Sequence, residues 1–118
     1  SVFRALSSVD DDGEFACVIL LTNFTGRNID INIAATCLLT PKSTIMMFNG
    51  LFKMIFDELK AVRSTALVSE SNIASQKFCE HLGFVKEGTM REAYDGDEDM
   101  HIYGFLNNEY RQHDWCRV

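Results

Sequence analysis

Proline is nearly absent from this 118-residue chain, which has one, and no apolar run approaches the roughly 20 residues that a membrane-crossing helix needs. One Pro beside nine Phe argues against a disordered chain. Basic charge is also scarce. Eleven Lys and Arg face seventeen Asp and Glu, for a formal net charge of −6. That balance disfavours a nucleic-acid groove, which needs clustered cations to neutralise phosphates. It suits a cationic partner such as an amine. The four cysteines, at 17, 37, 79 and 116, contain no Cys-x-x-Cys spacing, so no zinc or redox motif is read. His101 and His113 lack metal-spaced partners, and no metal site is expected. Unpaired thiols suit a reducing compartment, and the cytoplasm is the expected location. Nothing at the start resembles a signal peptide. An initiator Met is missing too, so the chain is expected to be processed or to be part of a longer one.

What is present is ordinary globular material: 47% hydrophobic and 24% charged residues. The length fits one domain with its own core. Val2 to Ser8 reads as a strand, and Asp10 to Gly13 as a turn in which Asp side chains bond nearby backbone. Glu14 to Asn23 is a continuous apolar run, expected as a strand buried on both faces. Asn28 to Leu39 alternates at Ile29, Ile31 and Ile33, which is a strand pattern. Cys17 and Cys37 sit in these apolar runs as small hydrophobes.

Thr40 and Pro41 start a helix, by capping and by fixed backbone geometry. Its apolar stripe runs through Ile45, Phe48, Phe52, Ile55 and Leu59 to Val62, broadened by Met46, Met47 and Met54. So apolar a helix is expected to pack on more than one side. Gly50 in its middle suggests close backbone approach. Thr65 to Val68 is a short strand, and the unit from the third strand through the helix is long enough for a right-handed parallel crossover. A second helix covers Ile73 to Leu82 and stops at Gly83. Strands at Phe84 to Ala93 and Met100 to Leu106 flank an acidic turn, and a short helix or tail begins at Asn107. The turn Asp95 to Asp99 lacks the calcium-loop pattern and reads as a solvated hairpin. The fold class is mixed α/β, with antiparallel hairpins at both ends and a parallel crossover between.

One stretch carries a more specific signal. Asn72, two residues, Ser75, an amphipathic helix, Leu82-Gly83-Phe84 and Glu87-Gly88 follow one another, with Arg91, Asp99, Tyr103 and Glu109 beyond. In this order the chain resembles the GNAT superfamily of N-acetyltransferases, and within it the RimJ/RimL-like branch of ribosomal-protein N-terminal acetyltransferases. The resemblance implies a twisted, mostly antiparallel GNAT-like sheet with a central parallel crossover and two helices. It spans residues 1–118 as a single domain. The strand and two helices that open the family's domain, and that usually help wall its acceptor groove, have no counterpart here.

The resemblance also implies acetyl-CoA as cofactor and an amine, such as a protein N-terminus, as acceptor, with acetyl passing by direct attack. Cys37, Leu38 and Leu39 fall where the family's splayed strand bonds the pantetheine arm. Lys42, Ser43 and Thr44 fall at the pyrophosphate loop, at a helix start suited to anions. That loop departs from the family: its glycines and leading Arg or Gln are absent, and Pro41 has no amide to donate. Asn72 and Ser75 match positions on the arm; capping the helix is their structural alternative. Cys79 stands where many members carry the Tyr that reprotonates the leaving thiolate. A thiol can give a proton, though it is a weak hydrogen-bond donor. Asp30, Glu92 and Asp99 are candidates for a base acting through water. His81 is expected to face solvent. Two further readings stand beside the enzyme. One is a degenerate GNAT-fold binding or assembly protein, of the kind found among phage morphogenesis components, with a homo-oligomer or partner chains. The other is an acyl-CoA reader without turnover.

Overall fold

The computed structural model describes residues 2–9, 15–35 and 41–113, with side chains described for 19–32 and 46–113. Six strands form one sheet: β1 (Val2–Val9), β2 (Phe15–Thr22), β3 (Asn28–Ala35), β4 (Arg63–Ser69), β5 (Val85–Tyr94) and β6 (Glu98–Leu106). Their spatial order is β1-β2-β3-β4-β6-β5. Every pair is antiparallel except β3 with β4, which the crossover through α1 (Pro41–Lys53) makes parallel. Helix α2 (Ile73–Leu82) joins β4 to β5, and α3 (Asn107–Gln112) follows β6. This is the expected mixed α/β class.

Register explains the core. Successive strand residues face opposite sides, so Ile29 and Ile31 share a face with Ser64 and Ala66, and these with Phe105 and Tyr103. That face is apolar and buried. Phe52 of α1 meets Phe105 at 5.1 Å and Phe84 at 6.2 Å between ring centroids. Phe48 meets Phe78 of α2 at 5.4 Å, and Phe56 stacks on Tyr110 of α3 at 4.9 Å. Burying each such ring contributes roughly 1.5–3 kcal/mol. On the other face Leu67, Val85 and Met90 stay 40%, 51% and 43% exposed.

The helix differs from its expected form in three respects. Past Lys53 the chain continues as a π-helical turn, Met54–Glu58, in which the Leu59 amide donates to the Met54 carbonyl at 2.8 Å. The wider turn rotates the stripe, so Ile55 and Phe56 are both buried while Val62 is 38% exposed and leaves the helix. Met46 is 65% exposed, so α1 does not bury every side. Gly50 has open space around it and meets no close backbone. In β2, Ile19 and Leu21 are buried while Leu20 and Thr22 are half-buried. That strand is therefore one-sided there.

Candidate active site

The site begins where two parallel strands part. β3 pairs with β4 only from Asn28 to Ile31 and from Arg63 to Ala66. Beyond that point β4 runs on to Ser69 against β6 alone. The backbone of Leu67 and Val68 on the β3 side is thus left for another partner, since an extended chain seeks hydrogen bonds for every amide and carbonyl, while the Ser69 carbonyl accepts the Asn72 backbone amide at 3.0 Å.

Helix α2 starts beside this gap. Asn72 caps it, its side-chain oxygen accepting the Ser75 amide at 3.1 Å. Among the described residues nothing takes the Asn72 amide hydrogens. Gln76 fixes the connection by donating to the carbonyls of Ser69 (3.1 Å) and Glu70 (2.8 Å). The helix stops at Gly83, whose φ of 112° is left-handed and whose amide turns back to the Cys79 and Glu80 carbonyls.

Gap and helix enclose a cavity of about 180 Å³. Ala66, Leu67, Val68 and Ser69 of β4 form one wall, and Asn72, Ser75, Phe78 and Cys79 of α2 another. Ile31, Tyr94 and Met100 complete it. Three of the residues expected to act together, Asn72, Ser75 and Cys79, therefore meet in one place. Asn72 and Ser75 line it at the α2 start, beside apolar side chains such as Phe78 and Met100. A cleft of mixed polar and apolar lining suits a small ligand that carries both kinds of group.

Cys79 is 4% exposed. Burial, and then the negative charge of Glu80, push its thiol from 9.0 up to about 11, so it carries its proton at neutral pH. Tyr103 of β6, paired in register with the wall residue Ala66, is 2% exposed. Burial first, then Glu80 and Cys79, raise its hydroxyl as well.

Other candidates fall elsewhere. Asp30 does not line the cavity; its carboxylate accepts from Asn23 Nδ2 at 2.9 Å and from Asn28 Nδ2 at 3.0 Å. Asp99 accepts the Glu92 amide at 2.8 Å and so holds that residue's left-handed turn, φ 52°. His81 is exposed, as expected. Cys37, Leu38 and Leu39 lie outside the described residues, and Lys42, Ser43 and Thr44 fall in α1 with side chains that are not described. Among the described residues no three His, Cys, Asp or Glu side chains converge for a metal. Tyr94 and Met100 are absent from the motif. Only the β5–β6 and β4–β6 registers bring them here.

No family model matches the chain, and no curated protein does. Solved structures match it in fold. A mutant of spermidine N-acetyltransferase SpeG from Vibrio cholerae superposes with a TM-score of 0.77 at 20% identity, over 93% of this chain and 69% of that one. Spermidine/spermine N-acetyltransferase SpeG from the same organism, in complex with manganese ions, gives 0.74 at 19%, over 92% and 68%. A GNAT-family acetyltransferase from Bacillus anthracis gives 0.70 at 17%, over 89% and 67%. The chain therefore has the GNAT fold. Among the described residues no helix is long and apolar enough to cross a membrane.

Proposed function

We propose that this chain is an N-acetyltransferase that passes acetyl from acetyl-CoA to an amine, a protein N-terminus in the RimJ/RimL-like manner, in the cytoplasm. The parting of β3 and β4 beside the capped start of α2, with Cys79 in the cavity wall, carries the reading. Acetyl-CoA supplies an activated acyl thioester. The backbone of Leu67 and Val68 that β3 leaves unpaired, with Cys37 to Leu39, pairs with its arm. Asn72 Nδ2 and the Ser75 hydroxyl donate at the rim. Lys42, Ser43 and Thr44 hold phosphate at the start of α1. The Cys79 thiol, protonated at neutral pH, gives its proton to the leaving sulfur. Asp30, anchored by two Asn amides, takes the amine proton through water.

Calorimetry with acetyl-CoA tests this. Binding that is lost in Lys42→Glu and weakened in Asn72→Ala is expected. A full-length protein that binds no acetyl-CoA overturns it.

A second reading has one observation in its favour. Helix α1 opens on Pro41, which has no amide to offer a phosphate, in a loop without glycines. On that reading the fold serves binding or assembly, and the protein purifies with partner chains and without coenzyme. Turnover of acetyl-CoA with an amine removes it.

A further inference from the structure

We propose that the cavity accepts an α-amino group whose own side chain is apolar, and that Leu67, Met100 and Tyr94 are the residues that select it. The inference rests on the acetyltransferase reading and narrows its acceptor to a class.

Strand β4 shows which way the acceptor comes. Ala66 and Val68 are buried on the core side, so by alternation Leu67 and Ser69 face the open side of the sheet. All four line the cavity. It therefore reaches both faces, at the place where β3 leaves β4. On the open side Met100 stands in register with Ser69, and Tyr94 with Glu98, two residues from Met100. Met100 and Tyr94 line the cavity too. Leu67 and Tyr94 are exposed, so the rim on this side offers apolar surface. Met90, in register with Met100 and also exposed, continues that surface beneath the next residue of a peptide. Asp30 belongs to the same side, because its neighbours Ile29 and Ile31 are buried in the core. The core side of the cavity, with Asn72, Ser75 and Cys79, serves the thioester, and the open side is left for the amine.

Charge decides between amines. Among the described residues no Asp, Glu, Lys, Arg or His lines the cavity. Asp95 and Asp97 follow Tyr94 in the chain and stay outside its wall. A cationic nitrogen entering this space loses water and gains no counter-charge, which disfavours its charged form. The amine that fits is one that sheds its proton easily. An α-amino group titrates at about 7.7–8.0 and a lysine-type alkylamine at about 10.4, so at neutral pH the neutral fraction of the first is about 300-fold larger. A polyamine brings further cations that the lining does not pair. The side chain beside an α-amino group, in contrast, has Leu67, Met100 and the Tyr94 ring to lie against.

The test compares acceptors. Full-length protein with acetyl-CoA is given two peptides that differ only in their first residue, Leu or Ser, a third with a blocked N-terminus and one internal Lys, and spermidine. The kcat/KM for the Leu peptide is expected to exceed that for the Ser peptide by about tenfold, as filling an apolar pocket does, and to exceed the other two by more. Tyr94→Ala, at an exposed position, is expected to bring the Leu-to-Ser ratio down to about threefold or less, and Tyr94→Phe to keep it. The same ratio is read without turnover, from fluorescence anisotropy of the Leu and Ser peptides labelled at their C-termini, with coenzyme A present. Equal values for the two peptides in both measurements, or a preference for spermidine or the blocked peptide, overturn the inference while acetyl transfer stands. A ratio that Tyr94→Ala leaves unchanged overturns the selection by this rim. A full-length protein that binds no acetyl-CoA in calorimetry overturns the acetyltransferase reading itself, and the inference with it.

Discussion

Asn72 holds the amide of Ser75 at 3.1 Å, so the residue at the rim of the cavity is also the one that starts its helical wall. Capping and ligand contact use different atoms of one side chain, and two substitutions separate them. Asn72→Asp keeps the capping oxygen and replaces the amide donor by negative charge. Its melting temperature is expected to stay close to that of the parent while acetyl-CoA binding weakens. Asn72→Ala loses both, with about 1 kcal/mol less stability in denaturant unfolding. Equal acetyl-CoA affinity in the parent and Asn72→Asp would confine this residue to capping.

The same residue shows how far the sequence could be read. Its spacing to Gly83 is local chemistry, cap to left-handed stop, and α2 occupies Ile73–Leu82 as its signals demand. The parallel crossover was legible for the same kind of reason: strand and helix periods and enough chain between them. What escaped was set by partners distant in sequence. Val62 continues an unbroken helical period in the sequence, but the helix ends before it: Lys60 takes a left-handed φ of 57°, and the Val62 amide donates to the Arg27 carbonyl at 2.7 Å. Tyr103 was legible as part of the resemblance, but only the β4–β6 register puts it opposite Ala66, a wall residue of the cavity.

Two glycines should respond with opposite sign. Gly50 lies in α1 with nothing within 4 Å of an added methyl, so Gly50→Ala is expected to stabilise by roughly 0.5–1 kcal/mol, from helix propensity alone. Gly83 has φ 112°, and a Cβ there would stand 2.9 Å from a Phe105 ring carbon. Gly83→Ala therefore adds backbone strain of about 1–3 kcal/mol to a clash with the core. Thermal unfolding of both variants checks the signs, and a stabilising Gly83→Ala would contradict the left-handed stop.

On the open face of the sheet, Arg63 Nη2 and Glu87 Oε1 pair at 2.6 Å across Gly104. A methyl on Gly104 would lie 2.5 Å from Glu87 Oε2 and 2.7 Å from Arg63 Nη2, so the pair must lift away. The two side chains are 31% and 36% exposed, and such a pair is worth at most about 1 kcal/mol. Gly104→Ala is expected to cost no more than that, and to cost less in a Glu87→Ala background. Urea unfolding of the four proteins gives the coupling, about 0.5–1 kcal/mol for groups in direct contact. Additive costs would show that the pair does not rest on Gly104.

Alkaline pH should weaken the fold through Cys79. Its thiol sits at about 11 in the folded chain against 9.0 ordinarily, chiefly because it is buried and secondly because of Glu80. Below pH 9 the thiol is protonated in both states, and its contribution is fully present. Between pH 9 and 11 the unfolded chain ionises first and binds fewer protons, so stability falls with rising pH. Two pKa units correspond to about 2–3 kcal/mol lost by pH 11. Tyr103, raised for the same leading reason, adds to the decline at higher pH. Unfolding free energy from urea titrations at intervals between pH 7 and 11, for the parent and for Cys79→Ser, isolates the thiol, because every other titrating group is common to both. The gap between the curves is expected to change by about 2 kcal/mol across that window in favour of Cys79→Ser. Parallel curves would mean that Cys79 ionises as freely in the folded chain as in the unfolded one, and that burial does not raise its thiol.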